Sequence, residues 1–185
     1  WRKNSYDPGE QIELLHRIAG IYEDSGEDPA NAFTSFGRAF TLDPTHEETR
    51  AQLERLAQNL ENWDDLFSLY SEKVESPDNQ EIAIDLQTRI AQLLSTAVGD
   101  VERAATAYNK LLEIKPDHIP AVDALEQLFL ENGDIKRMVD AILKKSELVF
   151  DPADKKSLAF RAADIQLNQL ESKEAAVATY RLILE

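Results

Sequence analysis

LLHRIAGIYEDSGEDPANAFTSFGRAFTLDP, from Leu14 to Pro44, is written again as LQTRIAQLLSTAVGDVERAATAYNKLLEIKP from Leu86 to Pro116. A third copy, LAFRAADIQLNQLESKEAAVATYRLILE, occupies Leu158 to Glu185. The copies hold register at a spacing of 72 residues: Leu14 with Leu86 and Leu158, Arg17 with Arg89 and Arg161, Ala19 with Ala91 and Ala163. Ala32, Ala104 and Ala176 continue the series, as do Phe36, Tyr108 and Tyr180, and Pro44 pairs with Pro116. Self-similarity at fixed spacing marks a stacked repeat protein, because one unit cannot bury its own apolar face and needs its neighbours.

Apolar residues inside and between the copies recur with a helical period, as in Ile12, Leu15, Ala19 and Tyr22, or Ala121, Leu125, Leu128 and Phe129. No stretch alternates in the period of two that a half-buried strand needs. Thr45 followed by Glu48 has the spacing of a capping box, and Asp117 after Pro116 and Asp151 before Pro152 offer further helix starts. These signals predict ten helices in five hairpins. The first helices lie near 10–24, 45–60, 80–96, 117–131 and 154–169; their partners lie near 29–42, 62–76, 100–115, 134–150 and 173–185. A short helical end around Trp1 to Ser5 is assigned to a preceding unit. The period divides unevenly, with one extra residue in the helix turn of each odd unit.

The small and aromatic positions are Ala19, Tyr22, Ala32, Phe36, Ala39 and Pro44 in the first unit, and Ala91, Leu94, Ala104, Tyr108, Leu111 and Pro116 in the third. The fifth unit reads Ala163, Gln166, Ala176, Tyr180 and Ile183. This pattern resembles the tetratricopeptide repeat, a helical hairpin of about 34 residues with small residues where its helices approach. The second and fourth units match it less closely. The resemblance implies an all-α fold: a right-handed α-α superhelix, or solenoid, of about five such hairpins. It predicts one segment over 1–185, with units near 10–44, 45–78, 79–116, 117–150 and 151–185. It also implies a non-catalytic scaffold for protein–protein interaction, similar to acidic double-unit arrays of bacterial repeat proteins. The start at Trp1 and the stop inside a motif at Glu185 read as a piece cut from a longer chain.

Composition narrows the partners. Hydrophobic residues make up 43% and charged residues 30%, a balance suited to a packed fold. With 35 acidic against 20 basic side chains, the net charge of −15 repels phosphate backbones and anionic lipid. Nucleic acid is therefore not expected as a partner. Membrane insertion is not expected either, since no apolar run approaches the roughly 20 residues that span a bilayer. The chain has no cysteine, which excludes disulfides, thiolate metal sites and cysteine nucleophiles. A soluble protein of the cytoplasm or periplasm is expected, and these residues leave the choice open.

His46 and His118 occupy equivalent places after Pro44 and Pro116 and read as polar residues of a helix-start turn. Adjacent carboxylates such as Asp64 with Asp65 suit a solvated helix surface, because acid–base work needs burial and a shifted pKa. No phosphate-cradling glycine loop is present. No catalytic group, metal ligand set or cofactor site is expected. Arg17, Arg89 and Arg161 are expected to form inter-helix ion pairs.

In the family the first helix of each hairpin lines the inner, concave wall. Carried onto this sequence, the groove positions of the first unit are Glu13, His16, Glu23 and Asp24. Glu48, Arg55, Gln58 and Asn59 follow in the second unit, and Asp85, Thr88 and Gln92 in the third. Asp123, Gln127 and Glu131 belong to the fourth, and Phe160, Asp164 and Asn168 to the fifth. That wall is acidic and amide-rich, so the expected ligand is an extended protein or peptide segment with basic or polar side chains. Two alternatives stand beside it. The apolar C-terminal hairpin, with Val177, Tyr180, Ile183 and Leu184, suits a structural spacer or an element that self-associates end to end. The array also suits the arm of a larger enzyme or of a secretion or assembly complex.

Overall fold

The computed structural model describes residues 7–24, 28–75 and 79–184; the helical end expected around Trp1 to Ser5 lies outside them. The described residues form ten α-helices. They are α1 (Pro8–Asp24), α2 (Pro29–Leu42), α3 (Glu47–Leu60), α4 (Trp63–Val74), α5 (Gln80–Leu93), α6 (Val101–Ile114), α7 (Ile119–Glu131), α8 (Ile135–Leu148), α9 (Pro152–Asn168) and α10 (Lys173–Leu184). No strand occurs among the described residues. The helices begin at matching intervals: α1, α5 and α9 at Pro8, Gln80 and Pro152, and α2, α6 and α10 at Pro29, Val101 and Lys173. The chain divides into two compact units, Trp1–Leu86 and Gln87–Glu185, with the divide inside α5.

In the first unit α1 packs on α2, α2 on α3 and α3 on α4. Phe40, Leu53, Leu66 and Tyr70 are completely buried. Phe40 of α2 stacks on Tyr70 of α4 with ring centroids 5.0 Å apart, and the Tyr70 hydroxyl donates to Glu54 at 3.3 Å. In the second unit α6 packs on α7, and α7 to α10 pack in sequence. Leu111, Val122 and Ile142 fill its core. Buried polar groups are matched: Gln87 Nε2 donates to the Ala107 carbonyl at 2.8 Å, and the Thr179 hydroxyl donates to Gln166 Oε1 at 2.8 Å. Unmatched, each would cost about 1–3 kcal/mol.

The extra residue of the odd units sits in the turn inside each hairpin. There the N–H of Asp28, Asp100 and Ser172 donates to the carbonyl of Tyr22, Leu94 and Gln166, six residues back. In the even units Asn62 and Asp134 donate to Ala57 and Phe129, five residues back. In the third unit the surplus residue widens the end of α5 into a π turn, Leu94–Val98, stopped by Gly99 at φ 73°. The even turns use the left-handed region too, at Glu61 (φ 53°) and Gly133 (φ 71°). A side chain there costs roughly 1–2 kcal/mol that glycine avoids. Glu61→Gly is therefore expected to raise the stability of the first unit by about 1 kcal/mol in urea unfolding; a decrease would contradict the assignment.

Helix starts correct one expectation and support another. Asp151 caps α9 as expected, its carboxylate accepting from Ala153 and Asp154 N–H. The capping box expected at Thr45 and Glu48 is displaced. Thr45 bonds backward, its N–H and hydroxyl both to Asp43 Oδ1, and that turn leaves His46 in the capping place. His46 Nδ1 accepts the Thr49 N–H at 3.3 Å. His118, one residue after the expected Asp117, likewise caps α7 through the Ala121 N–H at 3.1 Å.

Candidate interaction surface

The first helices of the hairpins carry the groove residues, and the structure engages them unevenly. In the first unit Glu23 of α1 and Arg55 of α3 meet: the guanidinium Nη2 reaches both carboxylate oxygens at 2.8 Å, while its Nε donates to Gln52. Arg55, a cation among the expected groove positions, is thus neutralised from within. Asp85 of α5 accepts from Arg50 at 2.6 Å. Glu13, Asp24 and Glu48 are exposed and make no hydrogen bond or ion pair with other described residues. Gln58 and Asn59 are exposed near the end of α3.

His16 is turned inward. Its Nε2 lies 2.7 Å from the hydroxyl of Thr49, a residue with no exposed surface, and its ring meets Phe36 edge-on at 4.9 Å. The His46 ring stands 5.3 Å away and shares the same hydroxyl at 2.8 Å. Because His46 Nδ1 already accepts the Thr49 N–H, a consistent network has the His16 ring donate to the hydroxyl, which donates onward to His46. Burial pushes the His16 pKa below its ordinary 6.5; Glu48 opposes that shift and His46 adds to it. With the folded value depressed, the unfolded chain binds more protons, so stability falls as pH drops through and below 6.5. Unfolding midpoints measured between neutral and mildly acidic pH are expected to fall for the native chain. The fall should be smaller for His16→Gln; an equal fall in both would place the cause elsewhere.

In the second unit Gln92 and Asn168 are exposed and Thr88 is half-buried. Asp123 accepts from Lys145 of α8 at 2.6 Å, and Glu131 accepts from Gln127 at 2.7 Å. Phe160 and Asp164 share one neighbour, Tyr180: its ring lies 6.0 Å from the phenyl group and its hydroxyl donates to the carboxylate. Hydrogen bonding to Asp164 raises the Tyr180 pKa. Arg161 pairs with Glu126 of α7, as the arginine series led us to expect. Arg17 has no ion pair among the described residues.

Sequence reasoning missed Thr49, Glu126 and the cross-link made by Arg137. That guanidinium takes both oxygens of Glu102 at 2.6 and 2.8 Å, holds Asp134 at 2.6 Å and covers the Phe129 ring at 4.5 Å. Among the described residues no cluster of His, Asp and Glu is arranged to hold a metal ion, and no helix is long and apolar enough to cross a membrane.

Helices paired into hairpins by short turns, and packed in sequence within each compact unit, define a helical-hairpin repeat protein. Residues 84–118, covering most of α5 and all of α6, match the family model of the tetratricopeptide repeat. Among solved structures, the chain is similar to MamA at 12% identity, covering 95% of this chain and 91% of that one, with a TM-score of 0.47. It is also similar to a tetratricopeptide repeat protein of Parabacteroides merdae, at 16% identity, 95% and 80% coverage and a TM-score of 0.44. YrrB, a repeat protein described as having an unusual peptide-binding site, stands at 13% identity, 94% and 89% coverage and 0.44. No curated protein matches significantly.

Proposed function

We propose that this chain binds an extended basic or polar protein segment along the face that α1 and α3 make in its first compact unit. The observation that carries this reading is the set Glu13, Asp24 and Glu48: three exposed carboxylates on α1 and α3 that no described cation neutralises. Five other carboxylates of the expected groove are engaged by Arg55, Arg50, Lys145, Gln127 and Tyr180. Glu131 and Asp164, whose donors Gln127 and Tyr180 are neutral, keep their charge, and in the first compact unit Glu13, Asp24 and Glu48 keep theirs. The net charge of −15 steers cationic partners toward such a face. Exposed amides at Gln58 and Asn59 add donors and acceptors for a ligand backbone. A pull-down with the native chain beside the variant Glu13→Lys, Asp24→Lys, Glu48→Lys tests it: ligands lost by the variant and weakened by salt are ligands of this face.

A second reading, self-association, has its own support in Val177, 49% exposed, and Leu184, 87% exposed, on α10. Light scattering over a concentration series separates the two: a constant monomer mass favours the binding module, and a rising mass favours assembly.

A further inference from the structure

The second unit holds a cavity of about 440 Å³ between the C-terminal half of α8, the N-terminal half of α9 and the last turn of α10. Its floor is apolar, made by Leu143, Ala159 and Ile183. Leu182, 66% exposed, forms one lip, and the exposed Lys155 and Lys156 form the other.

Helix positions explain why the opening exists. The fourth and fifth residues of α5 are Ala83 and Ile84, one buried and one half-buried. In α1 they are Gln11 and Ile12, half-buried and buried. In α9 the same places hold Lys155 and Lys156, whose ammonium groups stay in water, so the material that fills these places in the other helices is withdrawn. The opposite lip departs as well. The tenth residue of α2 is Arg38 and that of α6 is Lys110, both exposed although α3 and α7 pack on those helices. It is a solvent-facing place in the hairpin, and α10 puts Leu182 there. Packing of a following helix does not explain an apolar residue at that position. Phe150, two residues before Pro152 of the cavity wall, is 97% exposed.

We propose that this cavity is a second docking site, which takes an acidic partner segment carrying a bulky apolar side chain. The apolar group enters between Leu143, Ala159 and Ile183, and flanking carboxylates meet Lys155 and Lys156. The wall's own carboxylate, Glu147 on α8, repels acid on that side and orients the segment toward α9. The volume falls within the roughly 300–1,000 Å³ usual for ligand-sized clefts. Charge preference here is opposite to that of the acidic first-helix face, so one chain holds two chemically different partner segments.

The test is fluorescence anisotropy with a labelled synthetic peptide in which a Trp-Leu pair is flanked on both sides by Asp and Glu. Controls are the same pair flanked by Lys, and the acidic peptide with Ser-Gly in place of the pair. We expect the acidic apolar peptide alone to bind, with an affinity that falls as salt rises. Lys155→Glu with Lys156→Glu, and separately Leu182→Lys, should each weaken binding about tenfold or more. Leu182→Lys installs the residue type that α6 already tolerates, so its circular dichroism and unfolding midpoint should stay native. Asp24→Lys with Glu48→Lys should leave this binding unchanged, which separates its failure from failure of the acidic-face reading. No binding at low salt, binding indifferent to both cavity variants, or a dimer that Leu182→Lys dissociates would overturn the proposal.

Discussion

Tyr70→Ala is expected to destabilise the first unit by about 3–5 kcal/mol, the usual cost of removing a large buried ring. Tyr70 has no exposed surface, and its ring lies against Phe40, which has none either. That stack joins α2 of the first hairpin to α4 of the second, so its removal opens a cavity on a seam between hairpins rather than at one helix's edge. Tyr70→Phe keeps the stack and gives up the 3.3 Å bond to Glu54, for about 1 kcal/mol. Urea unfolding of both variants checks the contrast. A loss below 1 kcal/mol for Tyr70→Ala would mean that the seam does not hold the unit together.

The second large effect concerns binding. Glu13→Lys, Asp24→Lys and Glu48→Lys together convert three exposed attractions into repulsions. An exposed pair contributes about 0.2–1 kcal/mol, and a like-charge contact costs a similar amount. Three such reversals amount to roughly 1–6 kcal/mol, so a basic segment should lose about tenfold in affinity or more. Stability should move little, because none of the three carboxylates makes a hydrogen bond or ion pair with another described residue, and Glu48 acts on His16 through its charge alone. Reversing Glu23 instead would confuse the result: its partner Arg55 would be left facing a like charge. Calorimetric titration at low and moderate salt reads the effect, and equal affinity in native and variant chains would refute it.

Helix positions were legible in the sequence because each hairpin has its own punctuation. The boundaries of α2 were foreseen, and the ends of α1, α3 and α7 coincide with the expected ones. His46 and His118 were read as polar residues of a helix-start turn and both cap a helix; the loss of the capping role at Thr45 was not foreseen. Asp43 diverts Thr45 into a turn, a competition between neighbouring side chains that spacing alone does not rank. The candidate face was legible as a set of residues but not as a set of partners. Glu23 and Arg55 lie 32 positions apart in sequence, and their pairing follows from how α1 and α3 pack. His16 was placed on the groove by its helix position, whereas the structure turns its ring toward Thr49 and Phe36, because those groups offer a hydrogen bond and an apolar wall together.

The most direct measurement is a nuclear magnetic resonance titration of the labelled chain with an extended peptide rich in Lys and Gln. The account predicts salt-sensitive shifts clustered at Glu13, Asp24 and Glu48 and at the amides Gln58 and Asn59. Shifts confined to α2 and α4, or none at low salt, would contradict it.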